Sequence, residues 1–181
     1  TPNTSCSSFK TEITPLEIKE VLITPYPMPE WQVEEMVEIA NKFLETEGKT
    51  AFGTAIYTAT ETRQEKGLAL QKSIFGDQID RMYETSPENQ LHIQKIPTAN
   101  CFGDYQTRPV FDIPTRELLT FAILISLGGC EPQVKGHITG NVNSGNDKLK
   151  LLAVATQLLP YIGYPRTLNA ITCLNEVIPE K

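Results

Sequence analysis

The chain reads as all-α, a compact helical bundle. Apolar residues return at three- and four-residue spacings along most of its length. Ser, Thr and Asp caps, first-turn prolines and terminal glycines fall where such segments begin and end. No segment shows the two-residue alternation of a half-buried strand. The 181 residues suit one domain with an extension, and 40% apolar content is enough for a sizeable core.

The elements follow in order. Residues 1–13 are polar and Ser/Thr-rich, an arm. In "TPLEIKEVLI", Thr14 caps a helix, Pro15 suits its first turn and Glu17 closes a capping box. "TPYPMPE" breaks that helix with three prolines in seven residues. A second helix starts at Pro29, keeps Trp31, Met36, Ile39, Ala40 and Phe43 on one face, and ends at Gly48. Residues 49–60 form an irregular or helical connector. This gives two units: 1–60, an N-terminal arm and helical extension, and 61–181, a helical domain.

In the second unit, "ETRQEKGLALQKSIFG" is a helix. "DQIDRMYET" and "PENQLHIQKI" are shorter ones, the latter started by Ser86 and Pro87. Residues 97–114 read as a loop, from their prolines, glycine and small polar residues. Asp112 then caps "IPTRELLTFAILISL", which Gly128 and Gly129 end. Its stretch 118–127 is apolar all round, so it belongs inside the bundle or at a subunit interface. Pro132 sits in the first turn of "EPQVKGHITGNVN". "NDKLKLLAVATQLLPYIG" follows, with Pro160 expected to loosen its last turn. "PRTLNAITCLNEV" is the final helix, with Pro165 in its first turn.

Composition narrows the function classes. The net charge is −6 and no Lys/Arg cluster appears, which argues against a nucleic-acid partner. The longest apolar run is about half of a membrane span, so no membrane partner is expected. Cysteines at 6, 101, 130 and 173 show no two-residue spacing, and there are two histidines, so no metal site is expected. A reducing, cytoplasmic setting is favoured by the absence of a cysteine framework. Because the first residue is Thr1, a removed signal segment stays open.

Three segments carry a resemblance: "TRELLTFAILISLGG", "QVKGHITGNVNSGN" and "LLPYIGYPRTLNA". In this order and spacing they resemble the carboxymuconolactone decarboxylase family, within the alkyl hydroperoxidase D-like superfamily. The pieces match its Arg-Glu helix, its His helix and its Tyr-x-Gly-x-Pro turn. The likeness spans roughly 62–178, and "LEIKEVLITPYP" is similar to a shortened repeat of the segment before that turn. It implies an all-helical fold, homo-oligomers built on dimers, and either lactone decarboxylase or thiol peroxidase activity. The peroxidase branch carries Cys-x-x-Cys before its histidine. Here the first position is Cys130, the second is Gln133, and His137 follows.

The candidate site rests on these residues. Cys130, Gln133 and His137 lie at i, i+3 and i+7, on one helix face. Cys130 and His137 are about 10 Å apart along the axis, too far for an ion pair, whereas Gln133 and His137 are one turn apart. At a helix start Cys130 is either a small apolar residue in a bend or a thiol whose ionisation the helix dipole favours. His137 alone reads as a structural histidine; the resemblance makes it a site residue, and imidazole is a natural proton carrier near neutral pH. Glu117 either favours the helix dipole or orients His137. Arg116 and Arg166 are surface ion-pair residues or anchors for a substrate carboxylate. Tyr161 is a donor or a packing residue. Cys101 reaches Cys130 only if the 97–111 loop folds over the His helix. His92, Cys6 and Cys173 are read as incidental.

The expectation is an enzyme that uses His137 and Glu117 for acid–base chemistry on a small carboxylated or lactone substrate, with no cofactor. The alternatives are a thiol peroxidase or disulfide reductase using Cys101 and Cys130, and a non-catalytic oligomeric binding protein.

Overall fold

The computed structural model of the chain describes residues 62–180 apart from 109, and residues 35, 38, 39, 41 and 42. The expected arm, first helix and connector lie outside the described residues. Residues 35, 38, 39, 41 and 42 are helical, as the second helix requires, but Ile39 is exposed rather than turned inward.

Among the described residues the rest is helical, with no strand. The α-helices are α1 (Arg63–Phe75), α2 (Gln78–Thr85), α3 (Leu91–Pro97), α4 (Ile113–Leu127), α5 (Glu131–Asn143), α6 (Lys148–Ile162) and α7 (Tyr164–Val177). A short 3₁₀ turn precedes α3. No helix of the described residues is long and apolar enough to cross a membrane.

Local chemistry sets the boundaries of α4 to α7. Asp112 caps α4 by accepting from the Thr115 N–H at 2.9 Å, and Asp147 caps α6 through Lys150 N at 2.8 Å. Gly128 and Gly129 both take positive φ, which ends α4 at low steric cost. Gly163, at φ 80°, makes the turn between α6 and α7. Helix α6 runs through Pro160 to Ile162 before that turn.

One expectation fails. Residues Thr98–Gln106 are not a loop but a π-helical continuation of α3. Pro97 lacks an N–H, and the chain beyond it widens to i→i+5 spacing. The segment is buried over Thr98 and from Cys101 to Gln106. Burial is possible because α1 approaches backbone to backbone. A Cβ on Gly67 would collide with the Thr98 carbonyl oxygen, and one on Gly103 with the Arg63 carbonyl oxygen. Arg63 pairs with buried Asp104 at 2.8 Å.

Two apolar clusters result. The larger gathers Phe121, Leu124, Ile125, Val134, Ile138, Leu151 and Leu174 from α4–α7. As its all-round apolar sequence predicts, α4 is central: Leu127 is its only exposed residue. The smaller cluster joins Ile74, Cys101 and Phe102, with Leu70, Phe75 and Ile113 against it. Helix α1 meets α5 where the clusters adjoin, and the Asn143 side-chain amide donates to the Ile74 carbonyl at 2.8 Å.

Candidate active site

The seam between the clusters holds a buried acid–base pair. Glu117, on the first turns of α4, is fully buried, and His137, in mid α5, is nearly so. His137 Nδ1 lies 2.8 Å from Glu117 Oε2. Glu117 Oε1 is buried with no hydrogen-bond partner among the described residues. Small residues make the room: a Cβ on Gly140 would stand 2.5 Å from Glu117 Oε2 and 2.8 Å from the Phe75 ring. Phe75 meets the His137 ring edge-on, at 5.4 Å between centroids and 88°.

A polar network below the pair locks α4 to α5. The Asn141 side-chain amide donates to the Glu117 carbonyl at 2.9 Å and to the His137 carbonyl at 2.7 Å. Asn146 donates to Asn141 Oδ1 and to the Pro114 carbonyl, both at 2.8 Å. These bonds satisfy buried main-chain groups and hold the two helices in register.

His137 opens onto a surface groove of about 220 Å³. Gln133 and Gly136 line it from α5, Phe102 from the π segment, and Gln71 and Phe75 from α1. Gln78, Ile79 and Met82 of α2 complete it. The walls are mostly apolar with a few amides, the usual make-up of a small-molecule site. No lysine or arginine lines it among the described residues.

The other expected site residues lie elsewhere. Arg116 is fully buried, its guanidinium donating to the Arg108 carbonyl at 2.8 Å and the Phe111 carbonyl at 3.2 Å. It fastens the segment before α4 rather than lining the groove. Tyr161 is 83% exposed, and Arg166 lies over Gly128 at the end of α4. His92 is on the surface, as expected.

The thiols do not converge. Cys101 packs with Ile74 and Phe102, whereas Cys130 packs with the α4–α7 cluster and lines a small cleft with Cys173 and Arg166. Within the 97–111 segment, Thr98–Gln106 is the π helix packed on α1, which seats Cys101 in the smaller cluster rather than beside Cys130. Burial pushes the Cys101 thiol up to about 12, and the neighbouring Glu117 carboxylate adds to the rise. Cys130 stands at the N-cap position of α5 but makes no side-chain cap, and its surroundings favour the thiol over the thiolate. Burial, then the Glu131 charge, raises it, and its S–H reaches the Leu124 carbonyl at 3.3 Å.

Sequence reasoning missed Gln71, Phe75 and Asn141. Gly140 was the one local signal: a glycine three residues after His137 marks a close approach from another element.

The model of the carboxymuconolactone decarboxylase family matches residues 92–176. That segment of the chain is similar to this family. A relative, 4-carboxymuconolactone decarboxylase of Acinetobacter baylyi, is 28% identical over 123 residues, which covers 66% of this chain and 90% of the relative. The carboxymuconolactone decarboxylase match takes in Glu117, Gln133 and His137. The opposite wall of the groove, from Gln71 to Met82, lies upstream of it.

Proposed function

We propose that the protein is a decarboxylase-like acid–base enzyme acting on a small carboxylated lactone, with His137 and Glu117 as its working pair. The observation that carries this reading is the 2.8 Å contact between buried Glu117 and a histidine that lines the groove. The name of the Acinetobacter relative supplies the substrate class.

The chemistry needs few parts. Loss of CO2 leaves an electron pair that a conjugated carbonyl must accept, and a proton must return to carbon. Glu117 accepts the His137 Nδ1–H, which fixes the imidazole tautomer and directs Nε2 to proton transfer. The apolar groove wall supports the step, because a carboxylate out of water and away from a cation loses CO2 more readily. The arginine anchor expected from the sequence has no counterpart among the described residues of the groove, and amide donors are what its walls offer for substrate holding. Self-association of the chain belongs to the same reading.

The test is turnover of 4-carboxymuconolactone. His137→Ala is expected to lower kcat by at least ~100-fold and Glu117→Gln by a smaller factor, with the helical circular dichroism retained. His92→Ala should leave the rate within about threefold. Equal effects of the two histidine changes, or unfolding by His137→Ala, would remove His137 from the chemistry.

A further inference from the structure

We infer that Gln71 is a catalytic hydrogen-bond donor to the substrate oxygen that gains negative charge as CO2 leaves. This rests on the decarboxylation proposed above and adds the group that receives the electron pair.

Gln71 is buried in α1, outside the matched family segment, yet it lines the same groove as His137. Its amide is held from behind. The Thr98 hydroxyl donates to Gln71 Oε1 at 2.7 Å. Both hydroxyls also reach the Gln94 carbonyl, Tyr83 at 3.3 Å and Thr98 at 3.2 Å. The shorter contacts, 2.7 Å from Thr98 to Gln71 and 2.5 Å between Tyr83 Oη and Thr98 Oγ1, put the Thr98 proton on Gln71 and the Tyr83 proton on Thr98. Thr98 itself is fully buried in the π segment. With its oxygen engaged by Thr98, the Gln71 amide has its Nε2–H left to offer a ligand in the groove.

The other amide side chains there, Gln78 and Gln133, are exposed and have no such anchor. Gln71 is therefore the preorganised one, and a preset donor stabilises developing charge without reorganising. A cation would instead bind the starting carboxylate tightly and gain little in the transition state. An amide facing the carbonyl has the opposite bias.

The step balances with one proton taken up from water. The bond from carbon to the carboxylate breaks, and its electron pair passes into the conjugated lactone carbonyl. CO2 leaves, and the carbonyl oxygen becomes an enolate oxygen held by the Gln71 N–H. His137 then gives carbon an Nε2 proton that water has supplied, the pair returns to form the C–H bond, the carbonyl is restored, and the Nδ1–H imidazole is left on Glu117.

The test uses 4-carboxymuconolactone for turnover and two ligands for binding. Tetronate is a five-membered lactone that carries an enolate oxygen at neutral pH, and γ-butyrolactone is its neutral counterpart. Wild type is expected to prefer tetronate and to show a shift of the Gln71 side-chain amide resonances on its addition. Gln71→Leu should lower kcat ~100-fold with KM within about threefold, and abolish the tetronate preference. Thr98→Val keeps the amide but frees it to turn, so a partial loss of both is expected; it serves as the second variant should Gln71→Leu not fold. Unchanged kcat and tetronate preference in Gln71→Leu, with His137→Ala inactive, would overturn the Gln71 role and leave the decarboxylation standing. No turnover by wild type, together with a Gln71-dependent tetronate preference, would keep the donor and overturn the decarboxylation. No turnover and no tetronate preference would overturn both.

Discussion

At the scale of single residues, Cys101 sits where a thiol keeps its proton. Burial raises it from 9.0 to about 12, and the Glu117 charge nearby opposes a second anion. The unfolded chain ionises this thiol from about pH 9, while the folded chain does not. A raised folded value means that its stabilisation is whole below pH 9 and is lost as pH climbs through about 12. At 1.36 kcal/mol per unit, roughly 2 kcal/mol goes between pH 9 and 10.5. Urea unfolding at pH 8 and 10.5 should show a smaller alkaline loss in Cys101→Ala than in wild type; parallel losses would mean that this thiol is not responsible. The sequence shows that Cys130 opens a helix, and it does. It cannot show that burial raises that thiol, ahead of the adjacent Glu131 charge, or that its S–H finds the Leu124 carbonyl, because burial and that contact exist only in the folded turn. Arg116 teaches the same lesson: its neighbour Glu117 reaches the site, while its own guanidinium serves main-chain carbonyls eight and five residues upstream.

At the scale of elements, the pairing of α4 with α5 turns on Gly140. An added methyl there would meet the Glu117 carboxylate at 2.5 Å and the Phe75 ring at 2.8 Å, both in fixed positions. Gly140→Ala is expected to cost about 1–3 kcal/mol by overpacking and to lower turnover by displacing Glu117. Gly136, four residues earlier on the same helix, has nothing within 4 Å of its added Cβ. Gly136→Ala should therefore stabilise by roughly 0.5–1 kcal/mol through helix propensity. Thermal denaturation of the two variants compares them directly, and equal shifts would refute the close-approach account. Helix boundaries of this kind were legible because their causes are local: Asp112, Gly128, Pro132, Gly163 and Pro165 act within one turn. The π segment was not legible, because its cause is distant. Small polar residues from Thr98 to Gln106 read as a loop until Gly67 and Gly103 bring α1 against them.

For the whole molecule, the fold was legible and the site only half so. Period and punctuation suffice for a helical bundle, and the His137–Glu117 pair falls on the part that resembles the family. The groove's other wall comes from α1 and α2, whose approach no periodicity announces. The bundle also leaves apolar surface outside its two clusters. Leu149 is 76% exposed and Leu152 38% exposed, one turn apart on α6, and Leu168 of α7 is 44% exposed. Tyr161 and Tyr164 flank the turn between these helices at 83% and 65%. The hydrophobic term is about 25 cal/mol per Å² of buried apolar area, so a second copy covering α6 and α7 is the economical way to remove this surface from water. An isologous pair places the same patch on both sides and closes. Light scattering at micromolar concentration is expected to give a multiple of the 20.2 kDa chain mass. The paired change Leu149→Glu with Leu152→Glu should shift the mass downward while the helical signal persists, since neither side chain lies in the core. A wild-type mass of 20.2 kDa would rule out the assembly. A multimer indifferent to the two glutamates would move the interface off α6.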